Sequence, residues 1–275
     1  MKSVLLIEQP KKYKIYERQD IISRIRDRFS IKLMEDNYLK ELNLSIKKIS
    51  FPMNLNVDAY MRNMETAKSY LNKEHGIVAP KIWRKMDYNI YNKFQKELLA
   101  YSVVSSMQLI LRLKNKSIRN NCIVIYDPTD YYIYESVLCI SKFAKYIVFL
   151  TDNIDKAKNL ADYVIANYGI SPIITRDKNH ALKNADFILT SRNWDLVTDK
   201  PVWILDNLFS TFNSNSQYIN DVTYRTPWFD KDDIPIELLG AILCQMEEKD
   251  IERSLKYNGA FLNNIMFNGE VLIFE

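Results

Sequence analysis

Short apolar runs alternate with amphipathic stretches through the second half of the chain, and that alternation limits the possible folds more than any other feature. Ile123-Val124-Ile125-Tyr126, Tyr146-Ile147-Val148-Phe149-Leu150, Pro172-Ile173-Ile174, Phe187-Ile188-Leu189-Thr190 and Val202-Trp203-Ile204-Leu205 read as strands. Between them stand a helix bearing Val137, Leu138, Ile140 and Phe143, a second opened by Asp155-Lys156-Ala157, and a brief third that ends near Asp186. Strands that are apolar throughout are covered on both faces, and strand-helix-strand crossovers make neighbouring strands parallel. The expected class is therefore α/β, a doubly wound parallel sheet with helices on both faces.

The first part of the chain predicts a second, smaller α/β lobe. Val4-Leu5-Leu6-Ile7 reads as a buried strand, and Ile15 to Phe29 as an amphipathic helix with Ile21, Ile22, Ile25 and Phe29 along one face. Residues 31 to 52 are ambiguous, with Leu42, Leu44, Ile46 and Ile49 compatible with a strand; Asp58 to Leu71 is helical, and His75-Gly76-Ile77-Val78-Ala79-Pro80 forms a turn and a short extended run. Tyr88 to Lys114 lacks Pro and Gly, and Phe94, Leu98, Tyr101, Val104, Met107 and Leu111 recur at helical spacing. The expected organisation is an N-terminal lobe at 1–87, a connecting helix at 88–117, the parallel-sheet domain at 118–235 and a C-terminal helical segment at 236–275 returning to the first lobe. In that segment Gly240 permits close helix packing.

The turn after the first strand of the large domain is unusual. Folds of this class place a G-x-G-x-x-G phosphate cradle there, and in that register the glycine positions fall on Asp127, Thr129 and Tyr132. Side chains at these positions obstruct the tight turn, the backbone approach to pyrophosphate and the packing of helix on strand, and Asp127 adds negative charge. With only five glycines in 275 residues and abundant Lys, Asn, Ile and Tyr, a composition suited to an AT-rich genome, not every missing glycine is a functional loss.

Composition narrows the class further. A hydrophobic share of 47% excludes a disordered chain. A net charge of +4 with dispersed basic residues gives no specific nucleic-acid signal. No apolar run is long enough to span a bilayer, and Met1 to Ile7 is too short for a signal-peptide core, so the expectation is a cytoplasmic protein with no membrane partner. Cys122, Cys139 and Cys244 lie far apart in apolar elements and read as structural thiols. His75 and His180 have no ligand spacing, so no metal site and no catalytic residue is assigned.

Two segments resemble the nucleotide-binding domain shared by shikimate dehydrogenase, alanine dehydrogenase and glutamyl-tRNA reductase. Leu150-Thr151-Asp152-Asn153-Ile154-Asp155-Lys156-Ala157 is similar to the end of its second strand and the next helix start, and Ala181-Leu182-Lys183-Asn184-Ala185-Asp186-Phe187-Ile188-Leu189-Thr190-Ser191 to its helix, Ala-Asp, strand step. The resemblance implies a Rossmann-like fold. It also implies that Asp152 stands where the adenosine ribose is read, favouring NAD, and that Thr190 and Ser191 border the nicotinamide ribose. The local alternatives are that Asp152 caps the helix near Ile154 and that Thr190 and Ser191 satisfy their own turn. No Lys and Asp catalytic pair of the shikimate type is recognisable.

These readings leave two functional classes. The first is a degenerate Rossmann-like protein that binds a small molecule or a protein partner without hydride transfer. The alternative is an NAD-dependent oxidoreductase acting on a small carboxylate through a non-standard turn, NAD being the cofactor only in that case. In both, the candidate crevice is Asp127, Thr129, Asp130, Thr151, Asp152, Thr190 and Ser191, because each follows the carboxyl end of a parallel strand. Its ligand is expected to be neutral or cationic at the turn. Arg225, between Tyr224 and Trp228, is a candidate anion site with aromatic walls; Asn213 to Ser216 read as a loop. Oligomeric state is not indicated.

Overall fold

The computed structural model describes residues 1–10, 13–71, 76–192, 198–208, 217–229 and 233–273. His75 and the loop Asn213 to Ser216 lie outside the described residues. The chain divides into two units, Met1–Gln95 with Tyr224–Phe261, and Lys96–Thr223 with Leu262–Glu275.

The first unit is built on a four-stranded sheet. In chain order its elements are β1 (Val4–Glu8), α1 (Ile21–Ser30), β2 (Lys32–Leu39), β3 (Leu44–Ser50), α2 (Val57–Lys68), β4 (Ile77–Lys81) and the short α3 (Arg84–Asp87). The strand order is β2-β3-β1-β4, with β1 parallel to β3 and β4, and β2 antiparallel to β3. Val4, Leu5, Leu6 and Ile7 are all buried, as continuous apolar character predicts for a central strand. The ambiguous stretch resolves into a hairpin: Leu44, Ile46 and Ile49 of β3 face the core, whereas β2 at the edge is largely exposed.

Helix α1 departs from expectation in extent and in orientation. It starts at Ile21, because the Asp20 side chain accepts a hydrogen bond from the Ser23 N–H at 2.6 Å and caps it there. Its buried residues are Ser23 and Asp27, while Ile21, Ile22, Ile25 and Phe29 are exposed. The polar side faces inward because Asp27, 1% exposed, accepts hydrogen bonds from the Tyr16 hydroxyl, from Asn54 Nδ2 at 2.8 Å and from Asn63 Nδ2 at 3.0 Å. Burial and the adjacent Asp27 carboxylate push the Tyr16 hydroxyl up to about 12.

The long helix also starts later than expected. α4 spans Lys93–Leu113, preceded by α3 and a turn. Asn92 and Gln95 cap each other, the Gln95 N–H donating to Asn92 Oδ1 at 2.9 Å and the Asn92 N–H to Gln95 Oε1 at 3.0 Å. This reciprocal box fixes the start, and the sequence signal Asn-x-x-Gln was available to find it.

The second unit carries β5 (Cys122–Tyr126), α5 (Tyr134–Ser141), β6 (Tyr146–Leu150), α6 (Ile154–Tyr168), β7 (Ile173–Thr175), α7 (Lys178–Lys183), β8 (Phe187–Thr190), β9 (Val202–Ile204) and β10 (Tyr218–Ile219). These six strands form one parallel sheet in the order β10-β9-β8-β5-β6-β7, with β5 registered Cys122 to Tyr146 on β6 and Ile123 to Phe187 on β8. On one face Val124, Val148, Ile188 and Val202 pack with Ala181 and Ala185. On the other, Trp203 Nε1 donates to Ser106 Oγ of α4 at 2.9 Å. Helices thus cover both faces, and the architecture is a doubly wound parallel Rossmann-like sheet accompanied by a smaller α/β unit.

From β10 the chain passes through β11 (Asp221–Arg225) and β12 (Ile234–Pro235) to α8 (Ile236–Leu243), α9 (Ile251–Tyr257), β13 (Phe261–Phe267) and β14 (Glu270–Val271). All eight residues of α8 are buried against β1 and β4. A Cβ on Gly240 would stand 2.9 Å from Gln95 Cγ and 3.2 Å from Gln95 Cα, so this glycine allows the close approach expected of it. No helix among the described residues is long and apolar enough to cross a membrane.

Candidate functional site

In the order β10-β9-β8-β5-β6-β7 the crossovers run one way from β5 and the opposite way from β8. The carboxyl ends of those two adjacent strands are therefore the topological switch point, where doubly wound sheets open a crevice. Residues 127–133 leave β5 there, and Ser191 and Arg192 leave β8.

The missing glycine does not prevent the tight turn. Asp127 itself adopts φ +53°, the left-handed conformation a glycine would supply, and aspartate tolerates it better than most side chains. The expectation that Asp127 obstructs the bend is thus corrected. Its N–H is held by the Leu150 carbonyl at 2.9 Å, and its Oδ1 accepts from Thr151 Oγ1 at 2.9 Å. The turn closes on itself, the Asp130 N–H donating to the Asp127 carbonyl at 3.1 Å and the Ile133 N–H to the Asp130 carbonyl at 3.1 Å.

The residue absent from the sequence reading is Arg192. Its Nε lies 3.2 Å from Asp127 Oδ2 and 3.1 Å from Asp130 Oδ2, and its second guanidinium nitrogen reaches Asp130 Oδ1 at 3.3 Å. Ser191 Oγ donates to Asp130 Oδ2 at 2.6 Å. Burial raises the Asp127 pKa, opposed by the Thr151 hydrogen bond and the Arg192 charge; the hydrogen bond that Arg192 donates to Asp130 raises the pKa of Arg192. The turn is thus an ionic clasp with its two carboxylates neutralised in part. Arg192 thus offsets part of the negative charge on which the expectation of a neutral or cationic ligand rested. Arg192 is 57% exposed in its side chain, so the clasp has a solvent side.

The remaining candidates divide. Thr151, Thr190 and Ser191 are buried, Thr129 is half-buried, and the Thr190 hydroxyl serves its own turn by accepting from the Arg192 N–H at 3.2 Å. Asp152 does not cap α6. Asn153 does, accepting from the Lys156 N–H at 3.4 Å, which leaves the exposed Asp152 carboxylate with no hydrogen bond or ion pair among the described residues. Arg176 donates to the Asp152 carbonyl at 3.2 Å. Arg225 belongs to the first unit, at the end of β11, where its side chain is exposed and Tyr224 is buried.

A dinucleotide fits this turn poorly. Pro128 has no N–H, those of Asp130 and Ile133 are engaged, and Asp127 and Asp130 place carboxylates where a pyrophosphate would approach. Among the described residues no cluster of His, Cys, Asp and Glu is arranged to hold a metal ion. The three cysteines are free and half-buried, each thiol raised by burial, that of Cys139 to about 11.

No protein-family model matches the sequence, and no curated protein matches it. Among solved structures the chain is similar to a shikimate dehydrogenase in complex with NADP+, at 13% identity and a TM-score of 0.42, covering 90% of this chain and 96% of that one. It is similar also to quinate dehydrogenase from Corynebacterium glutamicum in complex with NAD, at 9% identity and 0.40, covering 92% and 97%. Shikimate dehydrogenase from Aquifex aeolicus stands at 9% identity and 0.43, covering 93% and 97%.

Proposed function

We propose that the chain is a Rossmann-like binding protein that takes a small molecule in the crevice beyond β5 and β8 and does not transfer hydride. The observation that supports this reading is the clasp of Asp127, Asp130 and Arg192, which puts paired side chains on the turn after β5, where folds of this class cradle a pyrophosphate. Asp152 supports a more specific ligand class. It is an exposed carboxylate at the end of β6, where acidic residues of this architecture accept hydrogen bonds from vicinal hydroxyls. A nucleoside or other polyol without a pyrophosphate suits that arrangement. A protein partner on the same crevice would meet the same groups. The localisation that goes with this reading is cytoplasmic.

Two observations favour the alternative, an NAD-dependent oxidoreductase. Asp127 keeps the left-handed turn of a phosphate loop, and Arg192 is exposed enough to swing away. Calorimetry with NAD, NADP and adenosine separates the two. The binding-protein reading expects no low-micromolar affinity for either dinucleotide, and a heat from adenosine that Asp152→Asn diminishes. Low-micromolar binding of NAD or NADP would overturn it and favour the oxidoreductase reading in its place.

A further inference from the structure

The outward face of α1 is apolar with basic edges, which is the reverse of an ordinary surface helix. Ile21 is 74% exposed, Ile22 80% and Phe29 71%. On a wheel of about 100° per residue, Ile25 stands opposite the buried seam of Ser23 and Asp27, with Ile21, Ile22 and Phe29 beside it. Arg24 and Arg28 follow one flank of this stripe and Arg26 the other. Neither Arg24 nor Arg28 has a side-chain hydrogen bond or ion pair among the described residues, and Asp27, the helix's acidic residue, is sequestered. The orientation is fixed, because the three donors on Asp27 would be orphaned if the helix rolled to bury its isoleucines.

We propose that α1 docks the protein on an anionic lipid bilayer, lying in the interfacial plane with Ile21, Ile22, Ile25 and Phe29 among the acyl chains and Arg24 and Arg28 at the headgroups. That no helix among the described residues spans a bilayer does not bear on this, since an interfacial helix does not cross it. Charge selects the occupant. A second copy of the chain would carry the same arginines on both flanks, so any two-fold contact through this stripe sets basic edge against basic edge. An anionic bilayer satisfies both edges and the apolar stripe together.

Co-sedimentation of the full chain with vesicles tests the proposal. Binding to mixed phosphatidylglycerol and phosphatidylcholine vesicles at low salt is expected, with little binding to phosphatidylcholine alone. Ile22→Glu with Phe29→Glu should abolish it. Arg24→Gln with Arg28→Gln should weaken it on the order of tenfold and blunt its salt dependence, as two fewer cations at the surface require. These side chains are exposed, so unchanged melting temperatures are expected and show that lost binding is not unfolding. Absence of wild-type binding to the anionic vesicles, or equal binding to both compositions, overturns the proposal. So does a solution dimer, seen by light scattering, that Ile22→Glu with Phe29→Glu breaks, because the face is then an interface between copies.

Discussion

Carboxylates are gathered inside both units, and they are satisfied by different chemistry. In the first unit Asp27 and Asp87 are closed in by neutral donors: Tyr16, Asn54 and Asn63 on Asp27, and the Tyr60 hydroxyl with the Ile82 and Trp83 N–H groups on Asp87. In the second, Asp127 and Asp130 share a half-exposed guanidinium. A fully buried group surrounded by fixed donors has no room to exchange partners. An ion pair with a solvent side loses little on opening, because water screens and replaces it. The contrast separates a structural lock from an ion pair that can open.

The largest effect is expected from Asp27→Ala. Removing the acceptor leaves the Tyr16, Asn54 and Asn63 donors without their partner and frees α1 to roll, so a loss of about 3 kcal/mol is expected in urea denaturation. A loss near zero would mean that the polar seam does not orient α1. Asp87→Asn should show its difference in pH dependence. Burial pushes Asp87 up to about 7 from an ordinary value of 3.8, so between those values the native state retains a proton that the unfolded chain has lost. Stability contributed by protonated Asp87 is full below the lower value and declines as pH rises to the upper one. The wild-type advantage over Asp87→Asn should therefore shrink from pH 4 to pH 7; an advantage that grows over this range would show that Asp87 is ionised in the fold.

The next effect lies in the turn. Asp127→Val places a β-branched residue at φ +53° and removes the hydrogen bond to Thr151, which should cost about 2 kcal/mol. Asp127→Gly suits the backbone and should cost less than half of that. Equal losses from the two substitutions would show that the side-chain bonds, not the backbone angle, dominate the turn.

The fold was legible where the physics is local or periodic. Uninterrupted apolar strands separated by helices predict the parallel sheet, and the strand ends set Asp127, Asp130, Thr151 and Ser191 at its carboxyl edge. The apolar period of α1 was equally plain, but periodicity reports that a helix has two faces without stating which one is buried. That choice was made by Asn54 and Asn63, distant in sequence, which hold Asp27. Periodicity does not signal Arg192 for the same reason: it lies 62 residues from Asp130 in sequence. Its position directly after Thr190-Ser191 was nevertheless a usable signal, since the carboxyl end of β8 borders the switch point.

The smallest effect is expected from Arg192→Ala, and it bears most directly on the contrast between lock and clasp. The guanidinium is 57% exposed and bridges two carboxylates that keep other donors, Thr151 on Asp127 and Ser191 on Asp130. Solvent screening therefore limits the loss to under about 1 kcal/mol. The electrostatic consequence should be easier to see than the energetic one. Without the cation, burial and the neighbouring Asp130 and Asp152 charges act on Asp127 with only the Thr151 bond opposed to them, so its pKa should rise further. A carbon-detected NMR titration of the carboxyl groups would report that rise, and denaturation of the same sample would report the stability. A loss as large as that of Asp27→Ala would place Arg192 among the structural locks and remove the reason to regard the turn as able to open.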